Sequence, residues 1–103
     1  MRMLLFVSSR CSHCPGAEAV AKKVAPEYQA YGMEMKKIRM KTSEGKRLAG
    51  QFNVMSMPTT LLLDNDNNEI HRFVGVPNEG NLRGKIESSL GIKKSFFSRI
   101  LKR

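Results

Sequence analysis

Two stretches of the chain, Met3–Val7 "MLLFV" and Thr59–Leu63 "TTLLL", are apolar or β-branched at every position and stop after five residues. A strand with one wet face alternates apolar with polar residues. An unbroken run this short is what a strand covered on both faces requires. Both faces of one sheet must then carry helices, which makes the chain an α/β protein. Its 103 residues suffice for one such core and not for two.

The segments between these runs supply the covering elements. Pro15 suits the first turn of a helix, where a missing N–H costs nothing. From there Ala17, Val20, Ala21, Val24, Tyr28 and Tyr31 recur in steps of three and four along one helical face, with Lys22 and Lys23 pointing away. Pro26 is expected to kink or end that helix near Ala25, and Gly32 to cap the segment. In Met33–Lys41, "MEMKKIRMK", Met33, Met35, Ile38 and Met40 alternate imperfectly with charges, which reads as a strand. Ser43 suits a helix N-cap, so "EGKRLAGQF" is expected as a short helix ending near Phe52, weakened by Gly45 and Gly50. "DNDNNE" is a turn by composition, and Ile70–Val74 returns as the second strand of a hairpin with Thr59–Leu63. Leu82, Ile86 and Leu90 set a final helix over Asn81–Leu90, which Gly91 stops. The expected order is βαβαββα.

Composition narrows the function classes. No run reaches the roughly 18 apolar residues that span a membrane. The apolar run Met3–Val7 is shorter than the roughly 7–15 residues of a signal-peptide core, and no small-residue cleavage site follows it. The expected setting is therefore cytoplasmic, where a disulfide is more often catalytic than structural. Of the net charge of +9, residues 91–103 supply +5 from Lys93, Lys94, Arg99, Lys102 and Arg103 without an acid, which leaves +4 for the rest.

Both cysteines of the chain, Cys11 and Cys14, lie in "SSRCSHCPG" between the first strand and the first helix. A bridge between them closes too small a loop to staple a fold. At a helix N-terminus unpaired N–H groups and partial positive charge favour a thiolate over a thiol. Cys11 precedes the helix and Cys14 lies within its first turn, an arrangement that suits a nucleophile and a resolving partner in disulfide exchange. His13 and Arg10 place cations near the pair, and a cation beside a thiolate lowers its pKa.

Two rival readings are weaker. Structural zinc needs four ligands, and the inventory here is Cys11, Cys14, His13 and His71, with His13 too close in sequence to join both cysteines on one ion. The seven methionines fall where a core or groove would use flexible filler, rather than as a soft-metal site. No metal and no cofactor is expected. An inert buried pair fits poorly with Ser, Arg and His as neighbours.

The chain resembles the thioredoxin/glutaredoxin superfamily over roughly residues 2–91. "CSHCP" opens the first helix, and in "VMSMPTTLLL" Met57-Pro58 stands where that superfamily keeps a cis-proline before its third strand. "FVGVPNEGNL" is similar to the thioredoxin segment that joins the last strand to the last helix. A C-x-x-C pair near a βαβ pattern is by itself only a weak thioredoxin-like signal, which the distant proline strengthens. The resemblance implies a thioredoxin fold, a four-stranded mixed sheet flanked by helices. It also implies a dithiol–disulfide oxidoreductase in which Cys11 and Cys14 form the redox-active disulfide. Met57, Pro58, Thr59 and Gly75 would then bind substrate, with Met57 offering backbone N–H and C=O to an extended peptide. Implied partners are protein disulfides and a reductase or the glutathione system. Departures are visible: Leu5 stands where thioredoxins bury an aspartate, Arg10 where they carry a tryptophan, and no Gly-Gly-x-Asp turn follows the last strand as in glutaredoxins. Proton transfer to and from Cys14 would then use water or His13. The competing class is a redox-inert or metal-carrying thioredoxin-like binding module.

The domain is expected to span residues 1–91, followed by a basic amphipathic tail over 92–103. In that tail Phe96, Phe97, Ile100 and Leu101 are spaced at three and four among five cations. An anionic membrane surface or an acidic partner suits it, with docking of its apolar residues back onto the domain, or disorder, as the alternatives. Nucleic acid does not, since the cations are not spread along a folded face with stacking aromatics. A monomer is expected.

Overall fold

The computed structural model describes residues 1–92. Strand β1 (Arg2–Val7) leads into helix α1 (Cys14–Val24), which passes at Pro26 into a 3-10 segment, Ala25–Tyr31. Strand β2 (Glu34–Arg39), helix α2 (Ser43–Gln51), the hairpin β3 (Thr59–Leu63) and β4 (Glu69–Val74), and helix α3 (Glu79–Leu90) follow. The strands lie in the order β2-β1-β3-β4. β1 pairs parallel with β2 and antiparallel with β3, and β3 pairs antiparallel with β4. This is the mixed four-stranded sheet of the thioredoxin fold.

The unbroken run in β1 reflects burial on both faces of the sheet, which divides the domain's one core into two clusters, a first and a second core layer. Met3, Leu5 and Val7 enter one with Ala17, Ala21, Val24, Tyr28, Leu82 and Ile86, from α1, the 3-10 segment and α3. Leu4 and Phe6 enter the other with Ile38, Ala49, Leu61 and Leu63, beneath α2. The imperfect alternation of β2 has the same origin. Met35 packs against the first core and Ile38 against the second, so neither face is uniformly apolar.

Several expectations shift by a residue or two. The cap of α2 is Thr42 rather than Ser43: Thr42 has extended backbone angles, φ −84° and ψ 159°, and its Oγ1 accepts from the Gly45 N–H at 2.9 Å. α3 starts at Glu79 instead of Asn81, because Asn78 caps it by accepting from the Asn81 N–H at 3.0 Å. β4 starts at Glu69 instead of Ile70. Tyr31 was expected on the buried face and is 53% exposed. Beyond Pro26 the chain no longer follows the α-helical repeat, and Tyr31 lies against the outside of Tyr28, ring centroids 6.4 Å apart. Gly32 caps that segment at φ 89°, as its position before β2 requires. The basic tail lies, from residue 93 on, outside the described residues. Among the described residues no helix is long and apolar enough to cross a membrane.

Candidate active site

β1 ends at Val7, and the short loop from there to the start of α1 carries Cys11, with Cys14 opening the helix. Cys11 and Cys14 are joined as a disulfide with Cα atoms 5.3 Å apart. Cys14 is the first residue of α1 and is 5% exposed, inside the first core. Cys11 is half-buried and stays accessible from outside. The first turn of α1 contains no acid, and its N-cap residue His13 makes no side-chain capping bond. The partial positive charge of the helix end therefore faces the sulfurs without an acidic group of that turn to offset it. Pro15, next in the turn, contributes no N–H.

The loop before β3 forms the opposite wall. The Met57–Pro58 peptide bond is cis. Pro58 is buried, and its carbonyl accepts from the Gly75 N–H at 2.9 Å, with Gly75 at φ 88°. Thr59 is 1% exposed, and its hydroxyl donates to the Ser56 carbonyl at 2.7 Å. Pro58 and Thr59 thus hold the turn from inside and Gly75 fixes it through its N–H, while Met57 is left half-buried at its surface. Among the described residues the backbone N–H and C=O of Met57 have no hydrogen-bond partner. A shallow groove of about 370 Å³ runs between the two walls and brings Arg10, Cys11, His13 and Met55–Met57 together. Thus Cys11 shares one cleft with Arg10, His13 and Met57, while His71, half-buried on β4 opposite Leu62, lines a different pocket. Among the described residues no three His, Cys, Asp or Glu side chains converge as a metal site.

A second groove flanks the disulfide on its other side, between α1 and the end of β2. It holds about 620 Å³ and is lined by Cys11, Cys14, Val7, Pro15, Met40 and several charged residues. The parallel register places Lys37 beside Leu5 and Arg39 beside Val7, and the Met40 N–H donates to the Val7 carbonyl at 3.0 Å. Glu18, one turn along α1 from Cys14, forms ion pairs with Lys22 at 2.8 Å and Lys37 at 3.2 Å. Hydrogen bonds from Lys22 and then Lys37 hold its carboxyl below the usual 4.5. The sequence offered no sign of this groove, because its walls meet only through the β1–β2 pairing.

A buried-strand sheet with a C-x-x-C disulfide at the head of its first helix, facing a cis-proline turn, defines a thioredoxin-fold redox protein. The thioredoxin family model matches residues 1–88, and the chain belongs to that family. It is 35% identical over 89 residues to a probable thioredoxin of Archaeoglobus fulgidus, covering 86% of this chain and 89% of that one. The thioredoxin of Fasciola hepatica superposes with a TM-score of 0.70 at 25% identity, over 84% of this chain and 78% of that one. Thioredoxin 1 of Thermosipho africanus TCF52B shares the fold, with a TM-score of 0.68 at 24% identity over 88% and 96% of the two chains. The protein is a dithiol–disulfide oxidoreductase; its family implies protein disulfides as substrates and a reductase as partner.

Proposed function

We propose that Cys11 is the attacking sulfur and Cys14 the resolving one. The observation that carries this assignment is their unequal exposure. Cys11 opens onto the grooves on both sides, whereas Cys14 is 5% exposed against the core. In the reduced protein the Cys11 thiolate attacks one sulfur of a substrate disulfide. The other substrate sulfur leaves as a thiolate and takes a proton, and a mixed disulfide joins Cys11 to the substrate. Cys14, deprotonated, then attacks the Cys11 sulfur and expels the second substrate thiolate, which is protonated in turn. Two electrons and two protons have passed to the substrate, and the Cys11–Cys14 disulfide remains. The reductase partner reverses this on the protein.

His13 and Arg10 assist by placing cationic or polar groups at the mouth of the cleft that Cys11 lines. Met57 receives the substrate chain through its free backbone groups, as an added strand does at a sheet edge, and Pro58, Thr59 and Gly75 hold that loop in place. We assign the protein to a reducing, cytoplasmic setting, acting as a monomer, with a reductase or the glutathione system returning its electrons. Residues 93–103 bring it to an anionic surface, a membrane or an acidic partner, through their five cations and four large apolar residues.

Two variants test the order of events. Cys11→Ser is expected to abolish reduction of insulin disulfides by dithiothreitol-recycled protein. Cys14→Ser is expected to accumulate a mixed disulfide with substrate, detected by intact mass. Full activity in Cys11→Ser, or a mixed disulfide that forms on Cys14 instead, overturns the assignment.

A further inference from the structure

The cleft beside Met57 accounts for one side of the disulfide; the larger groove between α1 and β2 has no part in that account. Its floor is apolar, from Val7, Pro15, Ala19 and Met40. Its rim is cationic, from Lys22, Lys37, Arg39 and Lys41, with Glu18 as the one acid. Glu18 is shared between Lys22 and Lys37. Among the described residues Arg39 and Lys41 have no acidic partner, and both are exposed. The groove therefore carries a net positive charge that the protein does not itself neutralise, and it ends at the sulfur that reacts.

The geometry points to this groove as a specificity subsite for an acidic segment flanking the cysteine of the substrate protein. The inference rests on the assignment of Cys11 as the attacking sulfur. Two properties select the occupant. The unpaired cations of the rim call for carboxylates, because an anion there regains partners that Arg39 and Lys41 lack. The apolar floor calls for side chains that cover it, which a short, wholly polar anion does not supply. A protein segment that mixes acidic with apolar residues meets both demands. Because Cys11 lines both grooves, the substrate's cysteine is held on the Met57 side while the chain beyond it crosses the disulfide into the basic groove. Charge of this kind acts mainly on encounter, by raising the local concentration of substrates of opposite sign.

The test compares three disulfide-linked peptides with the same residues next to the cysteine and acidic, neutral (Gln and Asn) or basic residues a few positions away. The readout is the second-order rate constant for their reduction by the pre-reduced full chain. Wild type is expected to reduce the acidic peptide about 10-fold faster than the neutral one, a ratio that shrinks as potassium chloride is raised. The double variant Arg39→Glu/Lys41→Glu should invert the acidic-to-basic preference, and Arg39→Gln/Lys41→Gln should bring the acidic-to-neutral ratio near one. An acidic-to-neutral ratio of one in wild type overturns the subsite while leaving the assignment of Cys11 intact. So does a ratio that survives both double variants. With glutathione disulfide as a fourth substrate, a salt-sensitive, variant-sensitive preference confined to it also overturns the subsite, since the ligand would then be a small anion. Failure to reduce even the neutral peptide overturns the assignment of the cysteines, and the subsite with it.

Discussion

Tyr28 and Glu87 illustrate what a single polar contact does across the first core. Tyr28 is 5% exposed, and its hydroxyl donates to Glu87 Oε2 at 2.6 Å, joining the 3-10 segment to α3. Burial, followed by the nearby Glu87 carboxylate, raises the phenol's pKa well above its usual 10, so it remains a donor at every ordinary pH. Glu87 Oε1 is buried with no partner among the described residues, so the carboxylate depends on this one bond. Tyr28→Phe keeps the ring and removes the donor. It is expected to lower stability by about 1–2 kcal/mol in urea unfolding, with disulfide reduction unchanged. At this scale the sequence was partly legible. Tyr28 was placed in the core by its spacing from Val24, but its partner stands on an element far along the chain, and no local pattern pairs them. Cys11 and Cys14 stood out by their C-x-x-C spacing ahead of a helix, and the cis-proline was legible through the resemblance that Met57-Pro58 carries rather than from local geometry.

At the scale of elements, the two glycines of α2 read alike in sequence and differ in the fold. Both sit inside a helix, where glycine ordinarily costs stability. At Gly50 nothing lies within 4 Å of where a Cβ would stand, whereas at Gly45 that atom would lie 2.0 Å from the Arg39 carbonyl oxygen. The end of β2 and the start of α2 are in backbone contact there, and only glycine lets them approach so closely. Gly50→Ala is therefore expected to stabilise the protein by about 0.5–1 kcal/mol. Gly45→Ala should destabilise it by about 1–3 kcal/mol, as overpacking does, both read from thermal unfolding. Apolar pattern made β1, β3 and the buried faces of α1 and α3 legible, because continuous burial and helical spacing leave a local signature. The starts of α2 and α3 were missed by one and two residues. Capping depends on backbone angles that Thr42 and Ser43 compete for equally in sequence. The far end of α2 is closed from a distance too: the Arg72 guanidinium of β4 donates to the Phe52 and Asn53 carbonyls while it pairs with Glu69.

Across the whole molecule, ion pairs join elements that the sheet alone does not connect. Arg83 of α3 binds Glu27 of the 3-10 segment through two bonds of 2.8 Å, Lys37 of β2 binds Glu18 of α1, and Lys36 of β2 binds Glu44 of α2. Arg83 holds the Glu27 carboxyl below the usual 4.5, Arg72 does the same for Glu69, and Lys36 for Glu44. A carboxyl whose folded pKa is depressed contributes stability that is fully present above its unfolded value. That contribution is lost as pH falls through the folded value. The melting temperature should therefore stay level from neutrality to about pH 5 and fall below 4.5, in a profile that flattens in high salt. A melting temperature that rises on acidification would contradict this. The pairings between elements were not legible in sequence, since each links partners brought together by the fold; only Glu69 and Arg72 are local, three apart on β4. The same holds for the groove at the disulfide, where Lys37 and Arg39 lie on a strand that meets β1 in parallel register. That strand has a second consequence. β2 is the last strand of the sheet, and its outer row of backbone N–H and C=O groups offers a template to any further strand. Lys36, Lys37 and Arg39 lie along that boundary, and Arg39 has no acidic partner among the described residues, so two copies meeting edge to edge would bring like charges together. The cations proposed to draw a partner of opposite sign toward Cys11 would thus also disfavour the pairing of this edge with a second copy.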